Sequence, residues 1–435
     1  MKKPEDSIRL NDEELSQFIA FFRQPRIPAS LERHIEEYIS RKTGRRFDDP
    51  VILDRIRGAV TRQKDQYWKE REKRQIAYDK GYDVLGYLAY QLPVYMIQFE
   101  CILFQLAMDG ILKRDLTILD AGTGPGVVPL AVIDFFSRLQ QDYHLEIHAI
   151  EQADEQSEAF LHIVPAFRGD NDRVSLHPVI RADIRVVEGD DLPVEVDLIV
   201  FQNVLNEIKG SGPKEQAEIV RRFLPSLPDD GNLLLIEPAD HANATGLRKL
   251  VDMLITGGMG LYGPCTFIRG TRCRPADCWT FEEKTPIHTT TLMEALASST
   301  PEPYRYLNTD IKYASAILRK DNRTKVGYRV PKKAKFALFS SLQRHLGRNI
   351  NTVGSLMSGD IGDEGTHVFK LCDGTAGRPV YAILPSYHVN ATNRALLSMP
   401  YGKVVILEQV LVRYNPRYGS YNLLINKRSR ISPAG

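Results

Sequence analysis

Apolar residues recur at helical spacing through the first part of the chain and then give way to short apolar runs. The spacing predicts helices over 32–42 and 52–77, both rich in Arg, Lys and Glu. A more apolar stretch, 82–108, reads as helix packed on whatever follows, with Pro93 starting a turn or a new helix inside it. From Leu116 the pattern alternates. Short buried strands are expected at 116–120, 145–150, 174–180, 196–201, 232–236 and 313–318. Helical segments are expected between them at 127–139, 156–167 and 213–223. Strands alternating with helices specify a parallel sheet wrapped by helices. After about 335 the rhythm changes again. Five β-like segments, 353–357, 366–371, 379–384, 403–414 and 421–426, are separated by Gly and Asp or Asn turns, as in a small barrel. The expected organisation is a helical region over 1–110, an α/β domain over 111–322 with an insertion at 258–281, and a barrel over 335–435.

Composition changes this picture little. A chain that is 43% apolar and 26% charged is an ordinary globular one. No apolar run approaches membrane-spanning length, so no membrane partner is expected. Lys2 and Lys3 stand beside Glu5 and Asp6, which fits neither a secretory signal nor a transit peptide, so the expectation is a cytoplasmic protein and a monomer. Charge does change the picture. The net charge of +2 conceals a segment from Arg323 onward with 17 Lys and Arg against 5 Asp and Glu. A basic module on a mildly acidic body points to a polyanion. Arg344, Arg348, Lys403, Arg413, Arg417, Lys427, Arg428 and Arg430 accompany Tyr401, Tyr414, Tyr418 and Tyr421 there. Cations that track phosphates and aromatic faces that stack bases are the equipment of an RNA-binding surface, although tyrosines on strands also serve ordinary packing.

Two motifs carry chemistry. The first is Asp120-Ala-Gly122-Thr123-Gly124-Pro-Gly126, a glycine turn directly after a buried strand. Such a turn needs positive φ and lets backbone approach a ligand closely. In a doubly wound sheet ligands sit at the carboxyl ends of the strands. Glu151 closes the second strand, where an acid can accept ribose hydroxyls, and Asp183 follows the third, near an adenine amino group. Gln202 and Asn203 end the fourth, placing polar groups beside a donor methyl. A G-T-G-P-G loop without G-x-G-x-x-G favours S-adenosylmethionine over a dinucleotide; a dehydrogenase or a Rossmann domain that binds nothing are the alternatives. On this reading Asp120, Gly122, Thr123, Gly124, Gly126, Glu151, Asp183, Gln202 and Asn203 bind the cofactor, and Asn203 lies at the reacting group.

The second motif is Cys265-x7-Cys273-x4-Cys278, with Cys372 far downstream. Three thiolates close in sequence and one distant can complete an S4 site, which suits zinc or an iron–sulfur cluster. With five cysteines, an odd number, and no export signal, a disulfide framework is not expected, and Cys101 reads as a core residue.

Together these residues resemble the methyltransferase-like assembly factors of the mitochondrial small ribosomal subunit and their bacterial and archaeal relatives. The resemblance rests on 87–95, the 119–126 loop, Val204-Leu-Asn-Glu207, Ile236-Glu-Pro238, the cysteine block with Trp279 and Phe281, and Leu371-Cys372-Asp-Gly374. It implies a class I S-adenosylmethionine-dependent methyltransferase Rossmann-like domain with a Cys-rich insertion; the helical N-terminal region and a C-terminal β-barrel, longer than the family's and more OB-like, complete the expected fold. It also implies a [4Fe–4S] cluster held by Cys265, Cys273, Cys278 and Cys372, and engagement of rRNA during small-subunit assembly. Two functions follow: an RNA methyltransferase, or a non-catalytic RNA-binding assembly factor whose Rossmann domain and metal site are structural.

Overall fold

A computed structural model describes residues 6–67, 81–208, 210–270, 278–298 and 300–434. The chain forms two compact units. One comprises Met1–Pro238 and Lys284–Tyr313, the other Ala239–Glu283 and Ala314–Gly435.

The first unit opens with five helices, α1 (Asp12–Arg23), α2 (Ala29–Thr43), α3 (Pro50–Tyr67), α4 (Asp83–Tyr90) and α5 (Leu92–Asp109). The expected helix over 52–77 is α3 as far as Tyr67; residues 68–77 lie outside the described residues. The 82–108 stretch divides at Gln91, and Pro93 sits in the first turn of α5, where its missing N–H has no intrahelical acceptor to lose. Helix α1 falls in the expected helical region of 1–110, though its bounds were not marked out. Its start is a capping box, with Asn11 accepting from the Glu14 N–H at 2.8 Å and Glu14 from the Asn11 N–H at 2.9 Å.

Next come β1 (Asp115–Ala121), α6 (Val127–Ser137), β2 (His144–Ile150), α7 (Asp154–Arg168), β3 (Val174–Leu176), β4 (Leu198–Gln202), α8 (Pro213–Phe223) and β5 (Asn232–Pro238). They make a parallel sheet in the order β3-β2-β1-β4-β5. The order reverses between β1 and β4, so a crevice opens beyond their carboxyl ends. Strand β3 is shorter than the expected 174–180 run. After His177 the chain meets Pro178, which cannot donate to a ladder, and only Ile180 bridges β2 again, at Ile150. Around the sheet, Phe18 of α1 stacks on Phe135 of α6 at 4.6 Å. Arg138 donates to the fully buried Glu100 at 2.7 Å and also pairs with Asp134. Burial first, and Asp134 second, raise the Glu100 pKa well above the usual carboxylate range.

The second unit begins with α9 (His241–Thr256), β6 (Gly260–Gly263) and β7 (Glu282–Lys284). After α10 (Thr291–Ala297) of the first unit, β8 (Ile311–Arg319) leads back into it, pairing antiparallel with β6. Then follow β9 (Asn349–Leu356), β10 (Thr366–Cys372), β11 (Val380–Pro385), β12 (Val404–Asn415), β13 (Ser420–Leu424) and β14 (Arg430–Pro433). Pairings β9–β10, β10–β11, β11–β13, β13–β12 and β12–β9 close a five-stranded barrel, and β14 adds to β12 outside the ring. Only β11–β13 is parallel. The expected barrel with OB-like connectivity is therefore present, with the five predicted strands in place and β14 additional. Its interior includes Leu356, Phe369, Leu371, Ala382, Leu384, Val405, Leu407, Val412 and Leu423, with alternation within the pairs on β10, β11 and the first half of β12. The long strand β12 bends at a bulge between Leu407 and Val410, where Gln409 takes φ +56°. No helix among the described residues is long and apolar enough to cross a membrane.

Candidate functional site

The β1 turn is built by three left-handed glycines, Gly122, Gly124 and Gly126 at φ +77°, +57° and +98°. Gly122 also admits no side chain, because a Cβ would fall 2.5 Å from Val204 Cγ2. The Gly122 and Thr123 N–H groups both donate to the Ile150 carbonyl at 2.9 Å, which ties the turn to the end of β2. Glu151, next in sequence, folds under the turn. One carboxylate oxygen accepts from the Gly124 N–H at 2.9 Å and the other from the Ala153 N–H at 2.7 Å. Burial raises the Glu151 pKa; these backbone donors pull it back down.

The turn opens on a cleft of about 370 Å³. Gly122, Gly124 and Glu151 line one side, and Gln202, Asn203, Val204 and Glu207 the end of β4. Asn203 is held at φ +54°, an uncommon conformation for a side-chain-bearing residue, and its N–H donates to the Ile236 carbonyl at 2.8 Å. Gln202 Nε2 donates to the Tyr95 carbonyl at 3.0 Å. Tyr87 of α4 contributes the roof, its ring edge-on to Tyr95. Burial lifts the Tyr87 pKa well above the usual phenol value. Gln156 Oε1, Gln202 Oε1 and Asn203 Nδ2 are buried in this lining and meet no hydrogen-bond partner among the described residues. Buried polar atoms are rarely left so, and a polar ligand would satisfy them.

Five of the sequence-predicted cofactor residues, Gly122, Gly124, Glu151, Gln202 and Asn203, therefore meet around one cleft. Thr123 and Gly126 shape the turn without lining the cleft: the Gly126 N–H donates to the Thr123 carbonyl at 3.1 Å and Gly126 caps α6. Asp120 lies beneath, 2% exposed, its pKa lifted to about 7 by burial, with the nearby Thr123 hydroxyl opposing and the Glu151 charge adding. Asp183 turns to its neighbour Arg185, accepting from Nε at 2.7 Å, and the residues either side of it, Ala182 and Ile184, line the cleft instead. Gln152, Gln156 and Ile184 were not singled out from the sequence, and Tyr87 was named only within the 87–95 helix, not as a site residue. Gln156, in the first turn of α7 and 2% exposed, carried the one available signal, a polar residue on an apolar helix face.

The cysteine motif gathers in the second unit. Cys265, Cys278 and Cys372 are half-buried there, and Cys273 lies outside the described residues. Two cations serve them. Arg248 of α9, 3% exposed, donates to Thr280 Oγ1 at 3.1 Å and the Ser315 carbonyl at 2.8 Å, and is electrostatically coupled to Cys265 and Cys278. Lys370 of β10 donates to the Trp279 carbonyl and is coupled to Cys278 and Cys372; burial lowers its pKa. Cys372 Sγ accepts from the Gly374 N–H at 3.3 Å. The cysteine ligand atoms do not form a trio within 4.8 Å of one another among the described residues.

On the barrel, seven of the eight predicted cations are exposed, Lys403 being half-buried. Tyr418 is 66% exposed and Tyr414 38%, while Tyr401 and Tyr421 are half-buried. Arg417 lies over the Tyr418 ring at 5.3 Å and Arg378 over Tyr414 at 5.7 Å.

A model of the C-terminal domain of a family of unknown function, DUF8157, matches residues 340–434, the barrel. No curated protein matches the sequence. Among solved structures the chain is similar to a magnesium protoporphyrin IX methyltransferase from Synechocystis with bound SAM. The identity is 10% over 63% of this chain and 97% of that one, with a TM-score of 0.32. It is also similar to NSun6 from Pyrococcus horikoshii with SFG, at 16% identity over 52% and 51% and a TM-score of 0.30. A third is the mitomycin 7-O-methyltransferase MmcR, at 19% identity and a TM-score of 0.26. It shares 36% of this chain, which spans only 38% of MmcR.

Proposed function

We propose that this chain is an S-adenosylmethionine-binding, iron–sulfur-containing methyltransferase-like protein that acts on small-subunit rRNA or its assembly intermediates. The observation that carries the cofactor is the cleft at the carboxyl ends of β1 and β4. A glycine turn, the Glu151 carboxylate and three unsatisfied buried amide atoms converge there. On this reading Glu151 accepts the ribose hydroxyls, and the backbone of Gly122 and Gly124 approaches the methionyl portion. Ile184 packs against the adenine, and the Asn203 amide orients the accepting base. Methyl transfer asks mainly for position and an in-line approach, which such a rigid strand end provides.

The donor chemistry of the second unit fits a cluster. Cys265, Cys278 and Cys372 would hold it with Cys273, and the coupled cations Arg248 and Lys370 offset the charge of several thiolates. The chemistry supplied by such a cluster is ligation that orders a loop with little apolar content of its own. The exposed arginines and tyrosines of the barrel support an RNA partner.

Calorimetry on the full chain tests the cofactor. Both S-adenosylmethionine and its demethylated product should bind, and Glu151→Ala should weaken binding about 10–100-fold, the cost of one charged acceptor. No heat with either compound sinks the proposal. Methyl incorporation into precursor small-subunit particles separates an enzyme from a non-catalytic assembly factor. Iron and sulfide in anaerobically purified protein, lost in Cys372→Ser and kept in Cys101→Ser, support the cluster; zinc without iron replaces it with a zinc site.

A further inference from the structure

The strand pairing of the barrel sorts its loops to two ends. Asn349 at the start of β9 lies opposite Leu411 near the end of β12, and Asn415 at that end lies opposite Ser420. Strands β11 and β13 begin side by side at Val380 and Tyr421. Residues 339–348, 373–379 and 413–419 therefore meet at one end. They contain five arginines, Arg344, Arg348, Arg378, Arg413 and Arg417, all exposed. Their one acid, Asp373, is 1% exposed and is occupied by the Phe339 and Thr375 N–H groups, each at 2.9 Å. The loop at the opposite end, 357–365, reverses this balance. Asp360, Asp363 and Glu364 are exposed there, and the loop has no Lys or Arg.

Two tyrosines close the basic end. Val412 and Leu423, opposite one another, are interior, so Tyr414 and Tyr421 continue the same side two residues further out. Tyr421 packs on the interior cluster, and its hydroxyl donates to Gln343 Oε1 at 2.8 Å. Tyr414, 5.3 Å away between ring centroids, stays 38% exposed. Arg378 Nη1 donates to the Tyr414 hydroxyl at 2.9 Å, which fixes the guanidinium and leaves its other N–H groups for a phosphate. Tyr418, at the turn, is 66% exposed even with Arg417 over one face of its ring.

We infer that single-stranded RNA crosses this arginine-ringed end of the barrel, with phosphates on Arg378, Arg413 and Arg417 and bases on Tyr414 and Tyr418. The inference rests on the RNA reading above and says where on the barrel that partner lies. In barrels of this connectivity nucleic acid commonly lies on the face of the second and third strands, between the loops that here are 357–365 and 416–419. The three exposed acids of the first loop repel a phosphate chain. Charge therefore moves the chain off that face and onto the end that carries the second loop. Exposed aromatic rings select unpaired bases, because the bases of a duplex are already stacked on one another.

Fluorescence anisotropy of the full chain with a labelled single-stranded RNA of about 12 nucleotides tests the placement. Arg378→Gln combined with Arg417→Gln should weaken binding at least about tenfold. It should also flatten the slope of log affinity against log salt by about 1.4, two phosphates at about 0.7 each. Tyr418→Ala should weaken binding at least about fivefold with the slope unchanged, and Tyr418→Phe should retain wild-type affinity. Arg394, between β11 and β12, and Arg430, opposite Glu408 on β14, lie away from this end, so Arg394→Gln with Arg430→Gln should change little. Wild-type affinity in the Arg378 and Arg417 pair, or a loss confined to the Arg394 and Arg430 pair, overturns the inference and leaves the RNA reading standing. A duplex of the same sequence bound as tightly as the single strand also overturns it. No binding of either RNA by the wild type removes the RNA reading itself.

Discussion

Replacing Gly126 by alanine should destabilise the first unit through two separable terms. Gly126 stands at φ +98°, and a Cβ there would lie 2.3 Å from Val164 Cγ2 and 3.0 Å from Phe160 Cδ2, both on α7. The left-handed backbone costs an alanine about 1–2 kcal/mol. Forcing a methyl into a filled space costs about 1–3 kcal/mol more. Lower entropy of the unfolded chain returns about 0.4–1 kcal/mol. The net loss is therefore about 1–5 kcal/mol, a large share of ordinary domain stability, which is about 5–15 kcal/mol. Urea unfolding of the full chain measures it. A cycle with Val164→Ala isolates the second term, since removing Cγ2 clears the nearest atom. The double variant should be more stable than the sum of the single changes implies, by about 1–3 kcal/mol, while the backbone term persists. Additivity within about 0.5 kcal/mol would refute the packing account. A wild-type midpoint for Gly126→Ala alone would refute both terms.

Asp120 should give the first unit a distinctive pH dependence. Its carboxyl ionises near 3.8 when exposed and near 7 in the fold. In that window the native state holds the extra proton, so stability falls as pH rises. Urea midpoints of Asp120→Asn should gain on wild type between about pH 4 and about pH 7, and parallel curves would remove the claim. On the barrel, alanine at Arg378, Arg413, Arg417 and Arg428 should weaken binding to single-stranded RNA. The slope of log affinity against log salt should flatten by about 0.7 for each phosphate no longer neutralised, and an unchanged slope places the RNA elsewhere. Arg248→Lys keeps the charge but cannot span Thr280 and Ser315 together. It should lower the stability read from urea unfolding by about 1–3 kcal/mol, whereas a wild-type midpoint means those bonds are dispensable.

Most of the fold was legible because its elements are specified locally. The period-two runs of the barrel and the apolar strand runs at β1, β2, β4 and β5 each carry their own pattern. Helix α1 was legible too, through Asn11 and Glu14 and through Leu15, Phe18, Ile19 and Phe22 at helical spacing. Strand β3 was overextended because the apolar count of 174–180 ignores what Pro178 does to a ladder. The additional strand β14 has only four residues, too few to show a period.

The candidate sites divide along the same physical line. Gly122 and Gly126 declare themselves because positive φ and close approach exclude every other residue, and those demands act within a few residues of chain. Cleft-lining residues obey no such local demand. Tyr87 reaches the cleft because α4 crosses it, and Asp183 misses the wall because Arg185, two residues on, captures its carboxylate. Side-chain pairing of that kind turns on about 1 kcal/mol and leaves no trace in residue type. The Glu146, His148 and His177 cluster lies between these extremes. Its polar face on β2 is visible as a period-two break in an apolar strand, but polarity alone says nothing about what lies beside it. That neighbour depends on register: Ile147 opposite Leu176 brings the His177 ring onto that of His148, and a slip of one residue would turn it to the other face. A cluster built from two strands becomes readable only once their pairing is known.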